Sequence, residues 1–156
     1  MEERSRERTA PASPSTILLA TVEDPFDKAV IDRTVTLAGK SRPMIHVMSI
    51  ARMWGTALGL QHPGLRPSKQ EWRTQAELVA DVVKQLERRG FTAKGRVVAT
   101  RNPAKAIAGE ALATHADLVV MGRHRPTFWS RLLRQDETGK VVRRSRVPVE
   151  IVDLDM

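Results

Sequence analysis

The stretch Asp117-Leu118-Val119-Val120-Met121-Gly122-Arg123-His124-Arg125, DLVVMGRHR, decides how the chain is read. Leu118–Met121 is an unbroken apolar run, too short for a helix and bounded by a glycine turn signal. Such a run describes a strand buried on both faces, the kind found in the parallel sheets of α/β domains. Gly122 stands where the strand should end, and open parallel sheets bind ligands beyond their carboxyl ends. A phosphate cradle would continue with glycine, because backbone N–H groups must come close to the anion. Arginine, histidine and arginine follow instead, and residues 122–135 are expected to form a loop.

The segments on either side repeat a strand–helix alternation. Thr16–Val22 is a first short apolar strand, ended by Glu23-Asp24-Pro25. Asp24 is placed to cap a helix with Pro25 at its first position, and that helix should stop near Gly39. Pro43–Ile50 is the second strand. Residues 51–67 are irregular, with three glycines and two prolines, a length that suits a lid or an interface. Ser68 then caps a long helix to about Arg89, with Trp72, Ala76, Val79, Val83 and Leu86 at helical spacing. Phe91–Thr100 is the third strand, with Gly95 as a weak point or bulge. Asn102-Pro103 opens another helix, Asp136 starts a short one, and residues 147–154, VPVEIVDL, form the last strand. Five strands alternating with helices describe a single open parallel α/β sheet covered on both faces.

A chain of 156 residues with 41% hydrophobic and 28% charged residues is long enough for one buried core. Residues 1–14 read as a disordered, charged and Pro/Ser/Ala-rich lead-in, and residues 15–156 as the folded domain. No segment has the apolar length of a signal peptide or a membrane span, so a cytoplasmic protein without membrane contact is expected. With Cys 0, thiolate chemistry and disulfides are excluded. The formal charge of +8 is concentrated: Arg123 to Arg146 holds eight basic residues against Asp136 and Glu137, a net of +6.

The pieces TILLATVEDPFDKAVIDRTVTLA, RNPAKAIAGEALATHADLVVMG and SRLLRQDETGKVVRRSRVPVEIV together resemble the universal stress protein family, from Thr16 to Val152. The resemblance implies the strand order 3-2-1-4-5, a fold shared with adenine nucleotide α-hydrolases, and a homodimer formed through the C-terminal edge strand. It also implies a nucleotide crevice. Members that bind ATP end the fourth strand with Gly-x2-Gly-x9-Gly-Ser/Thr and the first with aspartate. On that pattern Gly122 keeps the first glycine. Arg125 stands at the second, Gln135 at the third, Asp136 at the Ser/Thr and Val22 at the aspartate. Arg101 takes a further position that is frequently glycine, while Ile50 keeps the apolar character of the adenine side.

The crevice implied is lined by Thr21, Val22, Ile50, Met121, Gly122, Arg123 and Arg125, with Gln135 and Asp136 beyond. A carboxylate at Asp136 would satisfy free helix N–H groups itself and repel a phosphate. Two readings follow. In the leading one the ATP site is lost or closed, with Arg125 able to pair with Asp136, and the protein is a non-catalytic regulatory partner of other proteins without a cofactor. In the other, Arg123, Arg125 and Arg101 replace backbone N–H groups by guanidinium forks, giving an ATP- or AMP-binding switch, with or without Mg²⁺. A weak polyanion-binding accessory is a third reading, from the charge alone.

Other residues carry less. His46, His62, His115 and His124 lack metal-ligand spacing, and neither Ser130 nor Ser145 sits in a nucleophile elbow, so no enzyme is expected. Phe128 and Trp129 lie within the basic loop, but no recognition helix, RNA platform or zinc motif accompanies them, so specific nucleic-acid binding is not expected. Glu150 puts a charge on the expected dimer edge, either to discourage edge pairing or to meet an arginine across the dimer interface.

Overall fold

The apolar runs become strands and meet in one sheet. A computed structural model describes residues 10–52, 67–124 and 137–154. Strands β1 (Thr16–Val22), β2 (Met44–Arg52), β3 (Thr92–Thr100), β4 (Leu118–His124) and β5 (Val149–Leu154) pair in parallel in the order β3-β2-β1-β4-β5. Helices α1 (Lys28–Ala38), α2 (Lys69–Arg88), α3 (Pro103–Ala113) and α4 (Glu137–Arg144) lie between them in sequence. This is the single-domain α/β sheet expected, with the expected strand order.

Alternate residues of each strand feed two separate cores, because successive side chains point to opposite faces. Ile17, Leu19, Ile45, Val47, Leu118 and Val120 pack with Val30 and Ile31 of α1 and Val79, Val82 and Leu86 of α2. Leu18, Ala20, Met48, Ile50, Val119 and Met121 pack with Ala104, Ile107 and Ala111 of α3 and Val141 of α4. The central strands are therefore apolar in both registers, which is why their sequences lack alternation. Each large side chain buried here contributes about 1.5–3 kcal/mol.

Four local readings change. The cap of α1 is Asp27, not Asp24: its side chain accepts from Ala29 N at 2.8 Å, and α1 starts at Lys28. The intervening residues serve the turn, where Glu23 adopts φ 61. Gly95 is not a bulge but pairs in register with Val47. A Cβ there would collide with Val79 Cγ1 and lie 3.1 Å from Val83 Cγ2, so the glycine admits α2 to the sheet. Trp72 and Ala76, read as part of the buried stripe, are exposed, Trp72 by 41%. They lie in the first turns of α2, before its buried residues Val79, Val82 and Leu86.

The fourth change bears on the site. β4 does not stop at Met121 but continues through Gly122, Arg123 and His124. The pairs Gly122↔Val152, Arg123↔Asp153 and His124↔Leu154 hold this extension against β5. The first three residues of the expected loop are therefore strand. Most of it, with Arg125, Phe128, Trp129, Gln135 and Asp136, lies outside the described residues, as do 53–66 and most of the lead-in.

Candidate functional site

β1 is the central strand, and at its end the sheet divides. β1 stays paired with β2 to its last residue, Val22↔Ile50, but its pairing with β4 ends at Ala20↔Met121. Beyond that point β4 follows β5. The first two connections place α1 and α2 on one face, the later ones place α3 and α4 on the other. This is the switch point at which open α/β sheets form a crevice.

The described residues of the expected crevice fall on two faces. Ile50 and Met121 are buried in the α3/α4 core, and Val22 is packed against it. Strand alternation puts Arg123 on that same side. Thr21 and Gly122 belong to the opposite face. Thr21 Oγ1 donates to the carbonyl of Asp24 at 3.1 Å, tightening the turn after β1. A Cβ on Gly122 would lie 2.8 Å from Val30 Cγ2 and 3.1 Å from Leu154 Cδ1. Packing of α1 and β5 thus demands a glycine at 122 whether or not a phosphate ever approaches.

Arg123 is engaged with its neighbour strand. Its Nε and Nη2 donate to Asp153 Oδ1 at 2.9 and 2.8 Å. Both side chains are about half exposed or more, 48% and 66%, so water screens the pair. The pair is a ready geometry rather than a strong bond.

The turn after β1 is fixed by groups that composition did not single out. Glu23 N donates to the carbonyl of Ile50 at 2.8 Å, which closes the β1 end onto β2. Ser49, fully buried, donates through Oγ to Gln75 Oε1 of α2 at 2.5 Å, and Gln75 Nε2 reaches the carbonyl of Glu23 at 3.4 Å. A polar residue in the strand PMIHVMSI is the signal that was present in the sequence. Glu23, Asp24 and Asp27 place three carboxylates on this turn, and Asp153 adds one from β5. Arg101 is exposed at the end of β3, and Asn102 caps α3 by accepting from Lys105 N at 3.2 Å. Among the described residues no group of three or more histidines and carboxylates is placed to hold a metal ion.

Other charged groups act elsewhere. Glu150 meets an arginine of its own chain: Arg33 Nε and Nη2 of α1 both lie 2.9 Å from its Oε1. Asp32 accepts from Lys28 and Arg89, and these two bonds lower its carboxyl below the ordinary range. Burial beneath α3 lowers the His46 imidazole, the attraction of Glu110 opposing that shift and the repulsion of Lys94 adding to it. His46 is a half-buried strand residue far along the chain from the crevice turn.

The chain is similar to known proteins both in sequence pattern and in fold. The model of the universal stress protein family matches residues 14–153. A solved structure of a universal stress protein family member from Burkholderia pseudomallei superposes with a TM-score of 0.65 at 20% identity, covering 88% of this chain and 95% of that one. A universal stress protein in complex with cAMP gives 0.66 at 20%, covering 92% and 99%. A family protein from Arabidopsis thaliana with AMP bound gives 0.59 at 14%, covering 91% and 93%. At such identities these likenesses speak for the fold. No curated protein matches the sequence. On the family match, supported by this topology, the chain belongs to the universal stress protein family.

Proposed function

We propose that the protein is a non-catalytic regulatory or binding member of its family, cytoplasmic, whose crevice has lost the backbone phosphate cradle. The observation that carries this reading is the continuation of β4. A cradle needs a glycine turn with N–H groups free to face an anion. Positions 122–124 instead lie in register with Val152–Leu154 of β5. Gly122 is retained for packing, and Arg123 is matched to Asp153. Carboxylates of the β1 turn would repel a triphosphate unless a cation came with it. A thermal shift tests the reading: ATP with Mg²⁺ in excess should leave the melting temperature unchanged, because a ligand that does not bind the native state cannot stabilise it.

A second reading has its own support. Val22, only partly buried above the core residues Ile50 and Met121, gives one wall an apolar character suited to a purine, and the two structures with cAMP and AMP come from the same family. In this reading the protein is an ATP- or AMP-binding switch that holds phosphate by arginine side chains. Stabilisation by ATP or AMP that grows with concentration would favour it over the first.

We also infer a homodimer through β5. It is an edge of the sheet, paired only with β4, and Pro148 precedes the strand instead of interrupting it. Glu150 leaves that edge usable because Arg33 already answers its charge. Light scattering coupled to gel filtration should give twice the mass of the chain, and a single-chain mass would refute the dimer.

A further inference from the structure

The fold divides the basic run that the sequence concentrates between Arg123 and Arg146. β4 ends at the carboxyl edge of the sheet, and β5, being parallel to it, starts at the opposite edge. Arg143 and Arg144 in the last turn of α4, and Arg146 just after it, are thereby carried to the amino edge. Two other chain reversals bring cations to the same edge: Lys40 and Arg42 before β2, and Arg88 before β3. All six are exposed.

These cations have little to answer them. Arg42 Nη1 donates to the carbonyl of Gly90 at 2.9 Å. Among the described residues, the side chains of Lys40, Arg88, Arg143, Arg144 and Arg146 make no hydrogen bond or ion pair. Of the acids at this edge, Asp117 is occupied, accepting from Ser15 N and Oγ and from Thr16 N. Glu87 is exposed beside Arg88. Helix dipoles account for a cation in the last turns of α2 and α4. They do not account for Lys40, Arg42 and Arg146, which stand outside the helices.

We propose that this amino edge is a docking surface for an acidic polypeptide segment. The surface is distinct from the crevice and does not depend on whether the crevice binds a nucleotide. Its cations form two groups, one before β2 and β3 and one before β5. Three strand spacings separate β2 from β5, about 14 Å, which four to five extended residues span. Guanidinium forks pair bidentately with carboxylates, and five of the six cations are arginines. Nucleic acid fits less well. The edge offers no helix to enter a groove. Phe91, the aromatic residue at the start of β3, is buried and gives no stacking platform.

The test is fluorescence anisotropy with a labelled oligoglutamate, at about 50 mM and about 200 mM salt. Three double variants carry the same change of charge: Arg143→Glu/Arg144→Glu, Lys40→Glu/Arg88→Glu, and Lys69→Glu/Arg73→Glu at the opposite pole. Circular dichroism checks that each is folded, and the two amino-edge variants back each other up if one is not. Wild type should bind, more weakly at the higher salt. Either amino-edge variant should lose about tenfold or more, and the opposite-pole variant less than about twofold. Equal losses in all three would overturn the proposal in favour of general charge attraction, and so would absence of binding at low salt. Tighter binding of a duplex oligonucleotide of matched charge, lost in the same variants, would overturn it in favour of nucleic acid.

Discussion

Arg123 and Asp153 face each other across β4 and β5, and two guanidinium nitrogens share one carboxylate oxygen at 2.9 and 2.8 Å. In a glycine-rich cradle this point of the chain would have turned towards a ligand. In this protein it stays in the sheet. The same extension packs Gly122 closely against Val30 of α1 and Leu154 of β5, and it places a carboxylate beside the arginine that an anion would need.

Because the pair is solvated, its energy is small. A double-mutant cycle with Arg123→Ala and Asp153→Ala, read by chemical denaturation, should give a coupling of about 0.2–1 kcal/mol that shrinks as salt rises. A coupling several times larger and insensitive to salt would show that the pair is shielded from water.

Gly122→Ala should destabilise the fold by about 1–3 kcal/mol, the usual range for overpacking. The added methyl meets Val30 Cγ2 and Leu154 Cδ1. Adding Val30→Ala should recover part of the loss. Two independent, additive losses would mean that the glycine is there for some other reason.

Much of the fold was legible because it rests on local pattern. Apolar runs bounded by turn signals marked the strands, and their alternation with helices marked the parallel sheet. What escaped depends on partners distant in sequence. Continuation of β4 past Met121 is decided by Val152–Leu154, some thirty residues on, and nothing in GRH distinguishes a strand end from a loop start. Glu150 stands out in the sequence as an anomalous charge, but its partner Arg33 lies 117 positions away. Gly95 stands out in the sequence, but a close helix and a bulge both ask for glycine, and only the packing of α2 decides between them. Asp24 and Asp27 are chemically equivalent caps, and the geometry of the Glu23 turn chose between them.

The buried hydroxyl of Ser49 gives a third expectation. Gln75→Leu removes its acceptor and the tie to the Glu23 carbonyl together. Leaving a buried donor unsatisfied costs about 1–3 kcal/mol, measurable by denaturation, whereas replacing both with Ser49→Ala/Gln75→Leu should cost less than the single change. A double variant worse than the single one would contradict this role.

His46 supplies a pH dependence with a definite sign. Its folded-state affinity for a proton is lowered, chiefly by burial, so the unfolded chain binds the proton more readily. Its contribution to stability is therefore full above the ordinary imidazole value of about 6.5 and is lost as pH falls below it. Wild type should melt progressively earlier between about pH 7 and 5, and His46→Gln should flatten part of that slope. An unchanged slope would assign the acid sensitivity to other groups.

The most direct measurement is calorimetric titration of ATP with Mg²⁺ into wild type and Arg125→Ala at moderate salt. A protein without a phosphate cradle should give no saturable heat as wild type. Heat confined to Arg125→Ala would contradict this and show a cradle that is intact but closed by that arginine. Saturable wild-type binding at micromolar affinity, lost in Arg125→Ala, would contradict it and show a phosphate site rebuilt from arginine side chains.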